Sequence, residues 1–446
     1  VAAGQSGAGS NRAVGDGIVI VRARSAITHI RKSALALLPL LLLWSGLTCA
    51  NATAAGTDVN EQHVVLMSLD GFRHDYIEKH DASSLAAMAK NGVRAERLTP
   101  VYPANTFPNH LSIVTGLRPV NHGIVNNDFY DKRRPDGDGY AHYSMGKGRQ
   151  DSTWIHALPF WNLVEFHGKK AATFFWPESD ARINGALPTY HYAYSKYADY
   201  QQRVDQIVSW LSLPDAQRPR FVAGYFSLVD SVGHDAGPDA QETRDAVRQV
   251  DALIGQLQRR LAALPVAVNL IIVSDHGMTE LNPDAVIGRD SLAINNSAFI
   301  AENNDAQMML YAKPGTDAKT IAWQADVLKE TSQGAYRVLS PSQREQRHFS
   351  QGPRTGDIIL EAIPPARFTD ADNTYTSLGG HGYPPQHPDM GGLFVATGPA
   401  FKQGATLPPV SNLEVYPAMA EILGLPLLSE IDGEVSVLRE GLTAEQ

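Results

Sequence analysis

Three acids follow short apolar runs, and each has a neighbour able to do chemistry. Asp70-Gly71 follows His63–Leu69, Asp230-x3-His234 follows Phe221–Leu228, and Asp275-His276-Gly277 follows Asn269–Ser274. A further histidine lies between glycines in Gly379-Gly380-His381-Gly382, ahead of the apolar run Gly392–Gly398. A lone aspartate after a strand is usually a cap or a turn residue. Three such acids with three histidines read instead as a metal site. Carboxylate and imidazole donors without thiolate suit Zn²⁺, and less exclusively other divalent ions. The set could hold two ions close together, the arrangement used for phosphoryl transfer. Thr106, in the proline-bounded loop Tyr102–His110, stands where amides at a helix start could receive a phosphate oxygen. Its hydroxyl becomes an effective nucleophile when a metal lowers its pKa; an ordinary helix cap is the equal alternative.

These residues need a scaffold that brings distant strand ends together. His63–Leu69 reads as a buried parallel strand with Asp70 at its C-terminal edge, where α/β sheets place their sites. Phe221–Leu228, Asn269–Ser274 and Gly392–Gly398 read as three more core strands. Helical spacing is expected over 81–91, with Asp81 and Ser83 available as caps, over Asn109–Thr115, and over Pro238–Leu264. Asn412–Leu423 closes the pattern with a helix broken at Gly424. The fold class is therefore α/β, a doubly wound, mostly parallel central sheet flanked by helices. Two blocks interrupt the rhythm, 128–195 and 283–375, the second carrying one helix near 318–331. Both read as insertions that shape a pocket within a single domain, 55–446. Trp154, Trp161 and Trp176 read as core or lid packing.

Composition limits the alternatives. The chain has 446 residues, 43% of them hydrophobic and 19% charged, enough for a large core and unlike a disordered or coiled-coil chain. Its net charge of -9 argues against duplex nucleic acid as a partner. A single cysteine excludes an intramolecular disulfide and any cysteine-cluster metal site. Residues 1–33 carry Arg12, Arg22, Arg24, Arg31 and Lys32 against Asp16, and the apolar run Ala34–Trp44 follows. With small residues at Ala52-Thr53-Ala54, segment 1–54 reads as a cleaved signal peptide. The expected location is periplasmic or secreted, with membrane contact only if that segment stays as an anchor; a lipidated Cys49 is the poorer reading.

Taken in order, the motifs resemble one family. Leu69-Asp70-Gly71, Thr106-Phe107-Pro108-Asn109-His110, Thr115-Gly116 and His122-Gly123-Ile124 are similar to those of nucleotide pyrophosphatase/phosphodiesterases. So are Asp230-x3-His234, Ser274-Asp275-His276-Gly277-Met278 and Gly380-His381-Gly382. That family belongs to the alkaline phosphatase superfamily, and the lack of added modules looks like its bacterial members. The resemblance implies two Zn²⁺ per chain, one held by Asp230, His234 and His381 and the other by Asp70, Asp275 and His276. It implies that Thr106 attacks phosphorus beside the second ion, giving a phosphothreonine ester that water releases. Asn127 would donate to a non-bridging oxygen, although neighbouring Asn126 is chemically equivalent. Phe107 and Tyr225 would clamp a nucleobase, with a half-buried strand tyrosine as the plain alternative for Tyr225. The implied substrates are small nucleotide or other phosphodiesters, releasing nucleoside 5′-monophosphates, with no protein partner implied. Lysophospholipid or choline diesters, phosphonates, phosphomonoesters and a non-catalytic binding role remain the alternatives.

Overall fold

Strand β1 (His63–Leu69) is buried at every residue, as a central strand covered on both faces must be. Helix α1 (Ser83–Asn91), β2 (Val93–Ala95) and α2 (Thr106–Thr115) follow. A hairpin of β3 (Phe129–Asp136) and β4 (Gly139–Tyr143) leads to β5 (Ala171–Phe174) and β6 (Tyr190–Tyr192). Next come α3 (Tyr200–Leu211), β7 (Phe221–Phe226), α4 (Leu228–Ala236), α5 (Gln241–Ala262) and β8 (Val268–Val273). A second region holds β9 (Phe299–Asn304), β10 (Gln307–Ala312), α6 (Ala318–Thr331), β11 (Tyr336–Val338) and β12 (Ile358–Ala362). The last elements are β13 (Phe394–Thr397), β14 (Ala405–Leu407) and α7 (Val415–Ile422). This computed structural model describes residues 61–370 and 376–443, so the expected leader at 1–54 lies outside the described residues.

The central sheet has eight strands in the order β14–β2–β13–β8–β1–β7–β5–β6. β1 pairs in parallel with both β7 and β8, which sets the three chemistry-bearing strand ends side by side. β13 runs antiparallel to β8 and to β2, so the sheet is mostly, not wholly, parallel. Alternate β1 side chains enter opposite clusters. Val64 and Leu66 pack with Leu111, Val114 and Met419, whereas Val65 and Met67 pack with Val247, Val250 and Ile254. Helices therefore cover both faces, as in a doubly wound α/β fold.

Three sequence expectations shift. Block 128–195 contributes β5 and β6 to the central sheet as well as the β3–β4 hairpin, so part of it is scaffold. The second block forms a separate antiparallel sheet, β9–β10–β12–β11, over its own core of Phe299, Leu310, Leu328 and Leu360. Neither Asp81 nor Ser83 caps α1. Asp81 has a positive φ of 59° and pairs with Arg248 at 2.8 Å, while Ala82 occupies the cap position. Buried Asp251 of α5 does the capping instead, accepting from Ser84 N at 2.9 Å and Leu85 N at 2.8 Å. A carboxylate supplied by another helix thus satisfies amides that the local sequence leaves open.

Candidate functional site

The site lies at the C-terminal ends of β1, β7 and β8. Asp70 directly follows β1, and Asp275-His276 lie just beyond β8. Asp230 does not end a strand. β7 stops at Phe226, and Asp230 sits in the first turn of α4 with His234 one turn later. The spacing of four puts both side chains on one helix face. Gly71 makes the approach possible: its φ is +66°, and a Cβ there would lie 2.9 Å from Asp230 Cα. His381 comes from the loop after Gly379–Gly380, whose backbone pairs with Thr279–Glu280.

Each histidine is oriented by its Nδ1. His276 Nδ1 donates to Gly277 O at 2.9 Å, and His234 Nδ1 donates to Gly379 O at 2.9 Å. His381 Nδ1 donates to Asn105 Oδ1 at 2.9 Å. All three Nε2 atoms therefore face inward as acceptors, the orientation that metal-ligating histidines take. Asp70, Asp275 and His276 offer donor atoms within 4.8 Å of one another, and so do Asp230, His276 and His381. His234 Nε2 joins the second group, 3.5 Å from Asp230 Oδ1 and 3.0 Å from His381 Nε2. His276 thus stands between the two groups, its ring stacked on His381 with centroids 3.7 Å apart.

The donor set passes a direct test for cations. Asp70 Oδ1, Asp230 Oδ1 and Asp275 Oδ2 are buried without a hydrogen-bond partner, a costly state for protein alone. Burial pushes the Asp70 carboxyl well above the usual carboxylate range, with Asp275 and Asp230 adding to the effect. Burial acts on Asp275 in the same sense, but His276 and His110 outweigh it and hold that carboxyl well below its ordinary value. Burial, then His276 and His234, depress His381. Such crowding of like groups is what bound divalent ions would relieve.

Thr106 is the first residue of α2, which begins earlier than the expected Asn109; Pro108 is tolerated because first-turn amides lack helical partners. Asn105 holds the cap position, so the cap alternative for Thr106 falls. Thr106 Oγ1 lies 3.3 Å from His276 Nε2. The two asparagines also separate. Asn126 is fully buried, accepting from Asn105 Nδ2 at 2.6 Å and donating to Gln307 at 2.8 Å. Asn127 Oδ1 accepts from Phe107 N at 2.9 Å, and the residue lines the same cavity as Thr106.

Two cavities meet at Thr106 and Asp230. One, of about 250 Å³, is lined by Asn127, Asp128, His234, Asp305 and His381. The other, of about 460 Å³, is walled by Phe107, Phe175, Trp176, Tyr192, Tyr194 and Tyr225. Tyr225 is both strand core and wall: it is buried on β7, and its hydroxyl donates to Asp70 Oδ2 at 2.5 Å.

The family model for type I phosphodiesterase/nucleotide pyrophosphatase matches residues 64–384, a span that holds all of these groups. The chain belongs to this family. Among curated relatives, an uncharacterized pyrophosphatase/phosphodiesterase of Schizosaccharomyces pombe is 32% identical, covering 83% of this chain and 79% of the relative. Mouse ectonucleotide pyrophosphatase/phosphodiesterase family member 1 is 31% identical over 81% of this chain and 40% of its own. Venom phosphodiesterase of Naja atra is 30% identical over 86% of this chain and 47% of its own. This chain therefore spans less than half the length of those two animal relatives. The structure of murine ectonucleotide pyrophosphatase/phosphodiesterase 5, an inactive threonine-to-alanine variant in complex with AMP, superposes with a TM-score of 0.78 at 28% identity, covering 86% of this chain and 100% of that one. The alkaline-phosphatase-like α/β architecture expected from the motifs is thus the observed one.

Within this family fold the expected residues Asp70, Thr106, Asp230, His234, Asp275, His276 and His381 converge. Phe107, Asn127 and Tyr225 stand around them. Sequence reasoning gave no role to His110, which is fully buried one turn after Thr106. Its Nδ1 donates to Thr106 O at 2.8 Å, and its Nε2 accepts from Ser68 Oγ at 2.8 Å. It ties the start of α2 to β1; the spacing of four from Thr106 was the available signal. Trp176, read as packing, is buried yet also walls the larger cavity, where its Nε1 donates to His110 O at 3.2 Å. Tyr192 and Tyr194 were missed because an exposed tyrosine-rich run carries no periodic signal.

Proposed function

We propose that this protein is a bacterial, exported, two-zinc phosphodiesterase that releases nucleoside 5′-monophosphates from nucleotide diesters and pyrophosphates. The observation that carries the reading is the place of Thr106, 3.3 Å from His276 Nε2 and in the wall of both cavities. Asp230, His234 and His381 would hold one ion, and Asp70, Asp275 and His276 the other. The unpartnered carboxylate oxygens and the shared histidine tautomer support that assignment. When bound, the two cations lower the pKa of a nearby hydroxyl and neutralise charge on the transferring phosphoryl group.

Thr106 Oγ forms a bond to phosphorus as the bond to the leaving oxygen breaks, giving a phosphothreonine ester. Water then displaces Thr106, restoring its hydroxyl and releasing the monophosphate. His110 fixes the start of α2, so the nucleophile needs little reorganisation. Phe107 N holds the Asn127 carbonyl, which turns the amide Nδ2 toward a non-bridging oxygen. Phe107 and Tyr225, with the other rings of the larger cavity, would stack a base with little demand on its identity. The AMP complex of the murine relative, and that variant's inactivity after a threonine-to-alanine change, favour this reading. Relatives named as ectonucleotide and venom enzymes favour export. Among the described residues no helix is long and apolar enough to cross a membrane.

The test is parallel turnover of para-nitrophenyl thymidine 5′-monophosphate and para-nitrophenyl phosphate by residues 55–446, with zinc counted in the same preparation. About two zincs per chain and a large preference for the diester are expected. A preference for the monoester, or zinc-loaded protein inert toward every activated diester, overturns the proposal.

A further inference from the structure

Beside the two Asp/His groups around Thr106, a third group of metal-ligating side chains converges. Asp128, His142 and Glu302 offer one donor atom each within 4.8 Å of one another, and all three are half-buried. They come from three segments: the residue after Asn127, strand β4 and strand β9. The backbone between them is fixed. Asp128 N donates to Asn304 Oδ1 at 3.0 Å, and Asn304 Nδ2 returns a bond to Asp128 O at 2.9 Å. The Tyr130 ring packs on the His142 ring with centroids 4.6 Å apart, setting the imidazole's plane. Donors held by such supports are what a preorganised ion site requires.

The side chains satisfy one another only in part: Glu302 pairs with His142 and raises its pKa, while Asp128 has no cation as partner among the three. His142 Nε2 lies 3.0 Å from Glu302 Oε2, yet it is buried without an aligned hydrogen bond. Burial, then Glu302, push the Asp128 carboxyl up to about 6. Lys147, whose ammonium donates to His142 O, brings a positive charge that opposes protonation of the imidazole. Two carboxylates and one imidazole without thiolate form an N/O donor set suited to a divalent transition ion, with an open position left for water or substrate.

We propose that Asp128, His142 and Glu302 form a further divalent-cation site, separate from the two Asp/His groups around Thr106 and best matched to Zn²⁺. Asp128 also lines the smaller cavity, together with Asn127, Asp305 and His381. The site therefore borders the smaller of the two cavities that meet at Thr106, not the one walled by the aromatic rings. Resting on the diesterase reading, this placement has a consequence: Asp305 is paired with Arg367 in this cavity, whereas Asp128 repels an anionic leaving group, and a cation here reverses that sign. Nucleoside triphosphates, whose pyrophosphate portion is already charged when bound, would gain from it; a nitrophenyl ester, uncharged there in the bound substrate, would not.

The full chain is equilibrated with buffered zinc, and bound metal is counted for wild type, His142→Ala and Glu302→Gln. Each variant is expected to hold one ion fewer than wild type at saturation, with metal-free melting temperatures unchanged. A zinc-edge anomalous peak in wild-type crystals is expected between the three side chains. Equal metal counts in all three proteins with no such peak overturn the site. The comparison is between variants, so it stands whatever number of ions the Thr106 cleft holds. A cleft that binds no zinc sinks the diesterase reading alone. The role is read separately, from the KM for a nucleoside triphosphate relative to that for para-nitrophenyl thymidine 5′-monophosphate. A several-fold rise of that ratio in His142→Ala supports it, and an unchanged ratio overturns it.

Discussion

Thr106 carries two separable demands, a hydroxyl for attack and a place beside His276. Replacing Thr106 with alanine removes the first and leaves the Asp and His donors in place. Turnover should fall by on the order of a thousandfold or more while bound metal stays unchanged. Full metal with undiminished turnover would remove Thr106 from the chemistry. Asn127 and Asn126 give a sharper contrast. Asn127→Ala should lower kcat about a hundredfold, roughly 3 kcal/mol of transition-state stabilisation, with little change in melting temperature. Asn126→Ala should act mainly on stability, since it leaves Asn105 Nδ2 and Gln307 Oε1 without partners. Equal kcat losses without destabilisation in both would refute the distinction. The sequence could not make it: adjacent amides are chemically identical, and what separates them is a partner on β10. The metal-type donors were legible because Asp and His directly after apolar runs have few other reasons to recur together. His110 was not, since a buried histidine one turn along a helix looks like any core residue.

At the scale of elements, legibility followed the range of the interaction. β1 and β8 were plain, because uninterrupted apolar runs bounded by Asp-Gly and Ser-Asp have one simple reading. The run Phe221–Val229 is equally apolar, yet the chain turns into α4 within it, and Asp230 lands on a helix instead of a strand end. Local pattern cannot place that boundary; the approach of Gly71 to Asp230 does. β6, three residues of a tyrosine-rich stretch, has no alternation to betray it and is a strand because β5 offers it an edge. The start of α1 depends on Asp251, separated from Ser84 by 167 positions. Asp251→Ala should leave the Ser84 and Leu85 amides, the second of them buried, unsatisfied and cost about 2 kcal/mol, read by urea unfolding. The loss should appear without change in turnover, because α1 packs on the sheet face away from α2. An unchanged unfolding midpoint would show that the amides find other partners.

For the molecule as a whole, the pH dependence of stability should bear the mark of Glu178. This acid joins the β3–β4 hairpin to the central sheet: its Oε1 accepts from the Tyr143 hydroxyl and, at 3.2 Å, from Gly148 N. Its other oxygen is buried without a partner, and burial raises the carboxyl from 4.5 to about 7. A carboxyl raised in the folded state works against stability as the solution becomes less acid. Below pH 4.5 the proton is held in both the folded and unfolded chain, so this group exacts no penalty. Between 4.5 and about 7 the unfolded chain ionises first and stability falls. Above that window both states are ionised, and the penalty stays constant at roughly 3 kcal/mol. Glu178→Gln keeps an acceptor for Tyr143 and Gly148 and removes the titration. The variant should therefore match wild type near pH 4 and exceed it at pH 8, with the difference growing through the interval between. Chemical unfolding at a series of pH values reads this directly. A constant offset across the series would mean that the carboxyl titrates alike in the folded and unfolded chain, so that burial does not raise its pKa.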